Sequence, residues 1–370
     1  VACIAFVLAA WQAERRYRLL PALASDADGA PEPSQSWPTV QVLIPARNES
    51  GNITRVVSTL LTNNYPALQV LVIDDHSSDE TAALARLNGA QVLSLREEPP
   101  PGWTGKCNAC EHGVRATESV WLLFTDADTA HTPQSVAAAV AFAEAHQLDA
   151  LSLLLRQECI GFWEKVILPT AYQQFFAVLE PNQPAFNGQY ILIRRSAYLR
   201  SGGFGAVRGR VMEDVALAEL LARQGFQIAL VNGHQVASVR MYDDLPALLR
   251  GMTKTAFAAA RDRGLRGLLL GGLTFLGIFT LFALIYGLLA GSLVAVLGAM
   301  IIVTVNALAL RPWMVRFGIA RRYAWANLLA ITILWGIGMV STLRVISGRG
   351  VRWKGRTVIE TRGPVPPATP

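Results

Sequence analysis

Two short apolar runs in this chain end on paired acids: QVLVIDD closes at Asp74-Asp75, and VWLLFTDAD closes at Asp126-Ala127-Asp128. Such a run reads as a strand buried on both faces, as in a parallel sheet. Ligands of open parallel sheets bind outside the carboxyl ends of the strands, so both acid clusters face one crevice. A third acidic pair, Glu213-Asp214, follows later. Carboxylates gathered in one crevice repel each other unless a cation or donor groups compensate them. A nucleotide diphosphate held with a divalent metal is the commonest such arrangement.

The surrounding pattern supports a sheet of this kind. After a linker at 24–38 rich in Pro, Ala, Ser and acids, apolar runs at 40–45, 69–74, 90–95, 120–125 and 149–155 alternate with helical stretches. That alternation predicts an α/β sandwich with a mainly parallel sheet. Ser77 and Glu80 have capping-box spacing, which predicts a helix opening at Ser77. Thr132-Pro133 predicts another helix start. A further helix is expected from about Lys106.

The rest of the chain is too apolar for an ordinary soluble enzyme. Of 370 residues, 52% are hydrophobic, and the excess is concentrated after residue 264. Residues 265–310 are long enough for two spans of about 20 residues, with a turn near Gly291-Ser292; residues 323–343 form a third candidate. The first eleven residues are apolar but short, and residue 1 is Val, so they read as the end of a clipped first span; the alternative is a signal-peptide remnant. Basic flanks, Arg15, Arg16 and Arg18 on one side and Arg261, Arg263 and Arg266 on the other, put the intervening residues on the cytoplasmic side. The basic loop Arg311 to Arg322 agrees with a hairpin. Arg344, Arg349, Arg352, Lys354 and Arg356 favour the inside too, whereas a third full span would put them outside. Gly336 and Gly338 permit a bent or re-entrant element, and both topologies stand.

The net charge of +6 is therefore mostly membrane-flanking charge, and the part carrying most of the acids is no nucleic-acid binder. Four cysteines (Cys3, Cys107, Cys110, Cys159) give no disulfide framework, which fits a reducing compartment. Cys107-x-x-Cys110 has no second ligand pair for zinc, and Gly105-Lys106-Cys107 is not a phosphate-binding P-loop. Two amphipathic stretches, 158–180 and 245–263, are expected to lie in the membrane interface, with Trp163, Phe175 and Phe176 as anchors.

Nine motifs then occur in register: PARNE (45–49), VIDDHSSDET (72–81), GWTGK with Ala109 and Gly113, FTDAD (124–128), FNGQYILIRRSAY (186–198), GGF (202–204), MED (212–214), SVRMY (238–242) and WKGR (353–356). Together they resemble a membrane-bound family-2 glycosyltransferase with a GT-A fold. The most similar pattern is the subgroup that glycosylates carotenoids and is also found beside hopanoid genes. The resemblance runs from about residue 40 to 356. It implies a hexosyltransferase acting in the bacterial inner membrane, with its catalytic domain on the cytoplasmic side. The donor would be UDP-glucose or a similar nucleotide-diphosphate sugar, and the acceptor a membrane lipid.

By that resemblance, Asp128 and Asp126 hold Mg²⁺ or Mn²⁺, which suits paired hard oxygen ligands. Pro45, Ala46, Arg47, Glu49, Asp74 and Asp75 cradle the nucleotide. Asp214, beside Glu213, is the base that takes the acceptor proton. Lys106 and Arg240 are expected at phosphate or acceptor, with Tyr242, Gly188, Gln189, Trp353 and Arg356. A processive polysaccharide synthase is the main alternative, with ceramide or polyprenyl-phosphate glycosyltransferases beside it. The synthases carry Q-x-x-R-W where this chain has Ala237-Ser238-Val239-Arg240-Met241. A non-enzymatic scaffold fits less well because every acid of the DxD and ED motifs is present, and a nucleotidyltransferase because VRMY and the membrane segments favour a hydrophobic acceptor.

The expected layout begins with the end of a membrane helix and its basic flank (1–23), followed by the linker (24–38). The GT-A catalytic domain (39–242) includes the interfacial segment and leads into an interfacial helix (243–264). Membrane segments occupy 265–346 (about 267–290, 292–310 and 323–345), and the tail at 347–370 is basic with a disordered end.

Overall fold

The computed structural model describes residues 2–23, 37–179, 185–261, 265–347, 351–353 and 356–358. Most of the linker and of the tail therefore lies outside the described residues. The chain forms two compact units: a sheet unit (Leu20–Gln157, Pro184–Arg240, Val358–Pro370) and a helical unit (Val1–Leu19, Glu158–Gln183, Met241–Thr357).

In chain order, α1 (Ala2–Arg18) precedes β1 (Val40–Ala46), α2 (Ile53–Leu61), β2 (Leu68–Asp74), α3 (Thr81–Leu87), β3 (Gln91–Ser94), α4 (Gly105–Arg115) and β4 (Trp121–Thr125). Next come β5 (Thr129–His131), α5 (Ser135–Ala145), β6 (Ala150–Leu154), β7 (Arg156–Gln157), α6 (Phe162–Val178) and β8 (Tyr190–Arg194). They are followed by α7 (Arg195–Ser201), α8 (Gly203–Ala206), α9 (Glu213–Arg223), β9 (Ile228–Asn232) and β10 (Ala237–Val239). The C-terminal part holds α10 (Leu245–Arg261), α11 (Leu265–Ala290), α12 (Leu293–Arg316), a 3₁₀ turn, α13 (Asn327–Ile346) and the short strands β11 (Val351–Trp353) and β12 (Arg356–Val358).

The main sheet has seven strands in the order β3-β2-β1-β4-β8-β6-β9. Its strands run parallel except β8, which is antiparallel to β4 and to β6. The continuous apolar runs are explained by burial: every residue of β4 and of β6 is buried. On one face, α4 and α9 cover Leu43, Ile73, Phe124 and Ile191 with Cys107, Cys110, Leu217 and Leu221. The approach is close at Gly113 of α4, where a Cβ would come within 2.9 Å of Ile73 Cδ1. Three short strands form a second sheet in the order β5-β10-β7.

Two helix starts differ from the sequence expectation. α3 begins at Thr81 rather than Ser77, because the Ser77 side chain is engaged elsewhere: its Oγ accepts the Asn48 N–H at 3.0 Å. The Asp74 carboxylate meanwhile holds the Ser77 N–H at 3.3 Å, and His76 adopts a φ of 59°. α5 begins at Ser135 rather than Pro133. Thr132 donates its N–H to Val236 and Pro133 accepts from Asn64, so both belong to loop contacts.

Within the helical unit, α1 is clamped to α6 and α12. Arg16 is buried and donates to the main-chain oxygens of Phe176 (3.0 Å) and Ala177 (2.6 Å), the exposed end of a helix ladder. Arg316 makes a two-pronged pair with Glu14 and lies over the rings of Tyr17 and Trp313. Phe176 is fully buried against Tyr17 and Trp313. It is core, which corrects the expectation that it anchors a membrane face. Large apolar side chains are exposed instead along α1, α11 and α12, among them Trp11, Phe279, Leu289 and Val294. Leu293–Arg316 and Arg321–Arg344 are long and apolar enough to cross a membrane by length and composition.

Candidate active site

Parallel strands β1, β2 and β4 end side by side, and each delivers a loop to the same edge of the sheet. β1 ends at Pro45 and Ala46, in register with Ile73 and Asp74 of β2. The following loops are sewn together. Arg47 donates to the Asp75 main-chain oxygen at 2.9 Å, and Asp75 N–H donates to Ala46 at 2.8 Å. Asn48, with φ of 53°, accepts the Ser78 N–H, while Glu49 N–H donates to Thr81. Asp74 and Asp75 are both buried. The Asp74 carboxylate braces the turn, and Asp75 Oδ1 lies 3.0 Å from His76 Nδ1. Glu49 Oε2 accepts from Asn52 at 2.9 Å.

The acids after β4 meet those of α9 through one lysine. Lys106 enters from the first turn of α4, whose start is capped by Thr104 accepting from Cys107 N–H. Its Nζ lies 2.6 Å from Asp126 Oδ1 and 3.4 Å from Glu213 Oε1. It also donates to the Gly188 main-chain oxygen at 3.3 Å. Burial works against the charge on Lys106, but Asp126 and Glu213 outweigh it and hold the ammonium well above its ordinary range.

Gly188 is gripped from both sides. While Lys106 holds its oxygen, its N–H donates to Asp214 Oδ2 at 2.8 Å; Asp214 Oδ1 accepts from Val215 N–H at 2.8 Å. A Cβ on Gly188 would stand 3.2 Å from both Asp214 Oδ2 and Lys106 Nζ. Any side chain there would press on both groups, and Asp214 or Lys106 would have to give by a few tenths of an ångström. Burial, and then the Glu213 charge, push the Asp214 carboxyl up to about 6. Gln189 closes the same loop: its main-chain oxygen accepts from Thr125 Oγ1, and its side chain accepts from Asn187.

Asp128 is the least compensated acid. Its Oδ1 is buried and has no hydrogen-bond partner among the described residues. Burial, then Asp126 and Glu49, push its carboxyl up to about 8. A buried carboxylate oxygen left open beside a second carboxylate fits a hard divalent cation. Among the described residues no cluster of three or more protein ligands forms, so Asp126 and Asp128 make a half-site that phosphate oxygens would complete.

Arg240 follows β10 and its N–H donates to the Asp128 main-chain oxygen at 3.2 Å, which brings it to the same loop. Tyr242 belongs to the helical unit, where its ring packs over Gly251. The side chains of Trp353 and Arg356 lie outside the described residues. Sequence reasoning missed the bracing beneath the acids. Thr125 and Thr129 converge on His131 Nε2 (3.3 and 3.1 Å), and Thr129 Oγ1 donates to the Asp126 main-chain oxygen at 2.8 Å. Burial pushes His131 down to about 3, so it is a neutral spacer. The alternation Thr125-x-x-x-Thr129-x-His131 was the available signal, because three polar side chains on one side of a buried turn must satisfy each other.

Residues 41–202 match the profile described as "Glycosyl transferase family 2". Those residues form a family 2 glycosyl transferase domain. The 4,4'-diaponeurosporenoate glycosyltransferase of Staphylococcus aureus strain MRSA252 is 27% identical to the chain over 226 residues, covering 58% of this chain and 59% of the relative. The protein of the same name from strain USA300 is 26% identical over the same coverage. The chain thus spans about three fifths of the length of these curated relatives. Among solved structures, the mannosyltransferase from Pyrobaculum calidifontis in complex with GDP-Man and Mn²⁺ superposes with a TM-score of 0.57 at 22% identity, over 90% of this chain and 94% of that one. That likeness establishes the family 2 domain as a GT-A-like α/β fold.

Proposed function

We propose that this chain is an inverting glycosyltransferase that moves one sugar from a nucleotide-diphosphate sugar to the hydroxyl of a membrane lipid. The observation that carries the reading is the grip on Gly188 by Asp214 and Lys106, which joins the acceptor-side carboxylate to the Asp126 loop within one hydrogen-bonded cluster. Pro45, Ala46, Arg47, Glu49, Asp74 and Asp75 form the nucleotide side. Asp126 and Asp128 would hold Mg²⁺ or Mn²⁺, whose charge would neutralise the leaving diphosphate when bound. Lys106 and Arg240 add fixed positive charge there, and Tyr242, Gln189, Trp353 and Arg356 are proposed on the acceptor side.

In the transfer step, Asp214 takes the proton of the acceptor hydroxyl as its oxygen attacks C1 of the sugar. The bond from C1 to the diphosphate oxygen breaks, and the nucleoside diphosphate leaves with that electron pair. Attack opposite the leaving group inverts C1. Lys106, between Asp126 and Glu213, would add its fixed positive charge beside the metal that Asp126 and Asp128 would hold.

The exposed apolar helices support a lipid acceptor, and the carotenoid glycosyltransferase relatives support an isoprenoid one. The same helices support an inner-membrane protein, and the basic flanks support a cytoplasmic sheet unit. Incubating membranes containing the chain with labelled UDP-glucose, UDP-GlcNAc or GDP-mannose, followed by mass analysis of extracted lipids, tests the proposal. A lipid heavier by one sugar residue is expected. Label confined to a polymer would overturn it in favour of a processive synthase.

A further inference from the structure

The helical unit holds a small cavity whose lining is out of character for its surroundings. Between α1, α6, α12 and α13, it is faced by Thr170, Gln173, Gln174, Asn306 and Asn327, with Phe6 among the apolar residues that close it. Among the described residues no charged side chain lines it. Amides and hydroxyls at such a place are costly in an apolar bundle unless they are used.

The donors of Asn327 and Thr170 are already committed, and Asn306 and Gln173 each have one N–H committed. Asn327 Nδ2 donates to the main-chain oxygens of Val303 (3.2 Å) and Ala324 (2.8 Å). Asn306 Nδ2 donates to Ile302 at 3.2 Å, and Gln173 Nε2 to Ala309 at 3.0 Å. Thr170 Oγ1 points its proton to Val166. A main-chain carbonyl can only accept, so these bonds fix which end of each amide is nitrogen. The oxygens of Asn306, Asn327 and Gln173 therefore remain as acceptors, and Asn306 and Asn327 are both more than nine-tenths buried. Gln174 makes no hydrogen bond among the described residues.

We propose that this cavity binds the hydroxyl group of a neutral lipid. Acceptors without a partner call for a donor, and an O–H supplies one while accepting from a remaining amide N–H. The cavity measures about 20 Å³, which is room for one water-sized group. A phosphate headgroup is too large and would find no cation. Ala9, Gln173 and Gln174 at the rim are partly exposed, so a chain attached to the hydroxyl has a way out. The outer faces of α1 and α12 carry exposed Leu8, Trp11, Val294 and Met300, the surface along which such a chain would lie. The site needs neither sugar nucleotide nor Asp214, and so goes beyond the transfer reading.

The test uses the full chain in phosphatidylcholine nanodiscs, with hexadecanol bearing a diazirine in its chain and the corresponding methyl ether as probes. After irradiation, labelled residues are mapped by mass spectrometry. The alcohol should label α6, α12 and α13 around the cavity roughly five-fold or more above the ether, the ratio expected for one hydrogen bond. Asn306→Leu combined with Gln173→Leu, which removes two of the three open acceptors, should bring alcohol labelling down to the ether level. Equal labelling by alcohol and ether at the cavity would overturn the proposal, whether or not the double variant folds. So would alcohol labelling confined to the outer faces, or undiminished in the folded double variant. Repeating the labelling in Asp214→Asn separates this site from the transfer reading, because the preference for the alcohol should survive there even if no transfer is ever detected.

Discussion

Asp214 accepts two main-chain N–H groups and still has its carboxyl pushed up to about 6, first by burial and then by Glu213. That is where a base is useful near neutral pH, since it is largely ionised yet still basic. Transfer should therefore rise with pH through about 6 and level off above it. Asp214→Asn should lower kcat by about 10²–10⁴-fold, with nucleotide affinity changed only a few-fold in calorimetry. Loss of nucleotide binding with turnover retained would make Asp214 a donor ligand. Asp128 leads to a stability prediction. Its folded carboxyl is raised to about 8 from an ordinary value of 3.8. The folded state thus gains from its proton at low pH and loses that advantage as pH rises through about 8. Asp128→Asn should accordingly melt higher than the parent without added metal, by an amount that grows between pH 6 and pH 9 to a few kcal/mol. The same variant should lose any stabilisation by Mn²⁺ that the parent shows. A melting gap that narrows with pH would contradict the assignment of repulsion at this site.

Element by element, what could be read in the sequence was what repeats. The apolar runs of β1, β2, β4 and β6 must be buried on two faces, and their composition says so directly. The acids at two strand ends were legible for the same reason. The starts of α3 and α5 were not, because Ser77 and Thr132 are engaged by Asn48 and Val236, residues distant in sequence. Phe176 was misplaced because an aromatic on an amphipathic helix suits a core and a membrane surface equally; only its contact with Tyr17 and Trp313 decides. The Gly202-Gly203 pair between α7 and α8 shows how a motif can have a purely steric cause. Both residues have positive φ (82° and 47°), and a Cβ on Gly203 would fall 2.2 Å from Cζ of Tyr198. That ring is fixed by its hydroxyl, which donates to Glu111 at 2.8 Å and accepts Phe204 N–H at 3.0 Å. Gly203→Ala should destabilise the sheet unit by about 2 kcal/mol or more, measured by denaturant unfolding in detergent, whereas Gly102→Ala meets no atom within 4 Å and pays only for its φ of 82°.

For the molecule as a whole, the two helices of spanning length and composition found among the described residues and the exposed apolar faces lead to a simple expectation. Membranes from expressing cells washed with alkaline carbonate should retain the chain; its release into the wash would argue for peripheral attachment. The reversed strand β8 has a different consequence. Running against β4 and β6, it starts at the edge where its neighbours finish, so the Asn187-Gly188-Gln189 turn arrives among the acids. It is also paired on both sides, whereas β3 forms an edge with exposed residues. Amide protons of Tyr190–Arg194 should then exchange with deuterium only through global unfolding, and those of β3 through cheaper local opening. The turn that Asp214 and Lys106 hold is thereby mounted on a strand paired on both sides. Its geometry should outlast partial unfolding of the sheet margins, so refolding from the edge inward finds the turn of the proposed site already in place.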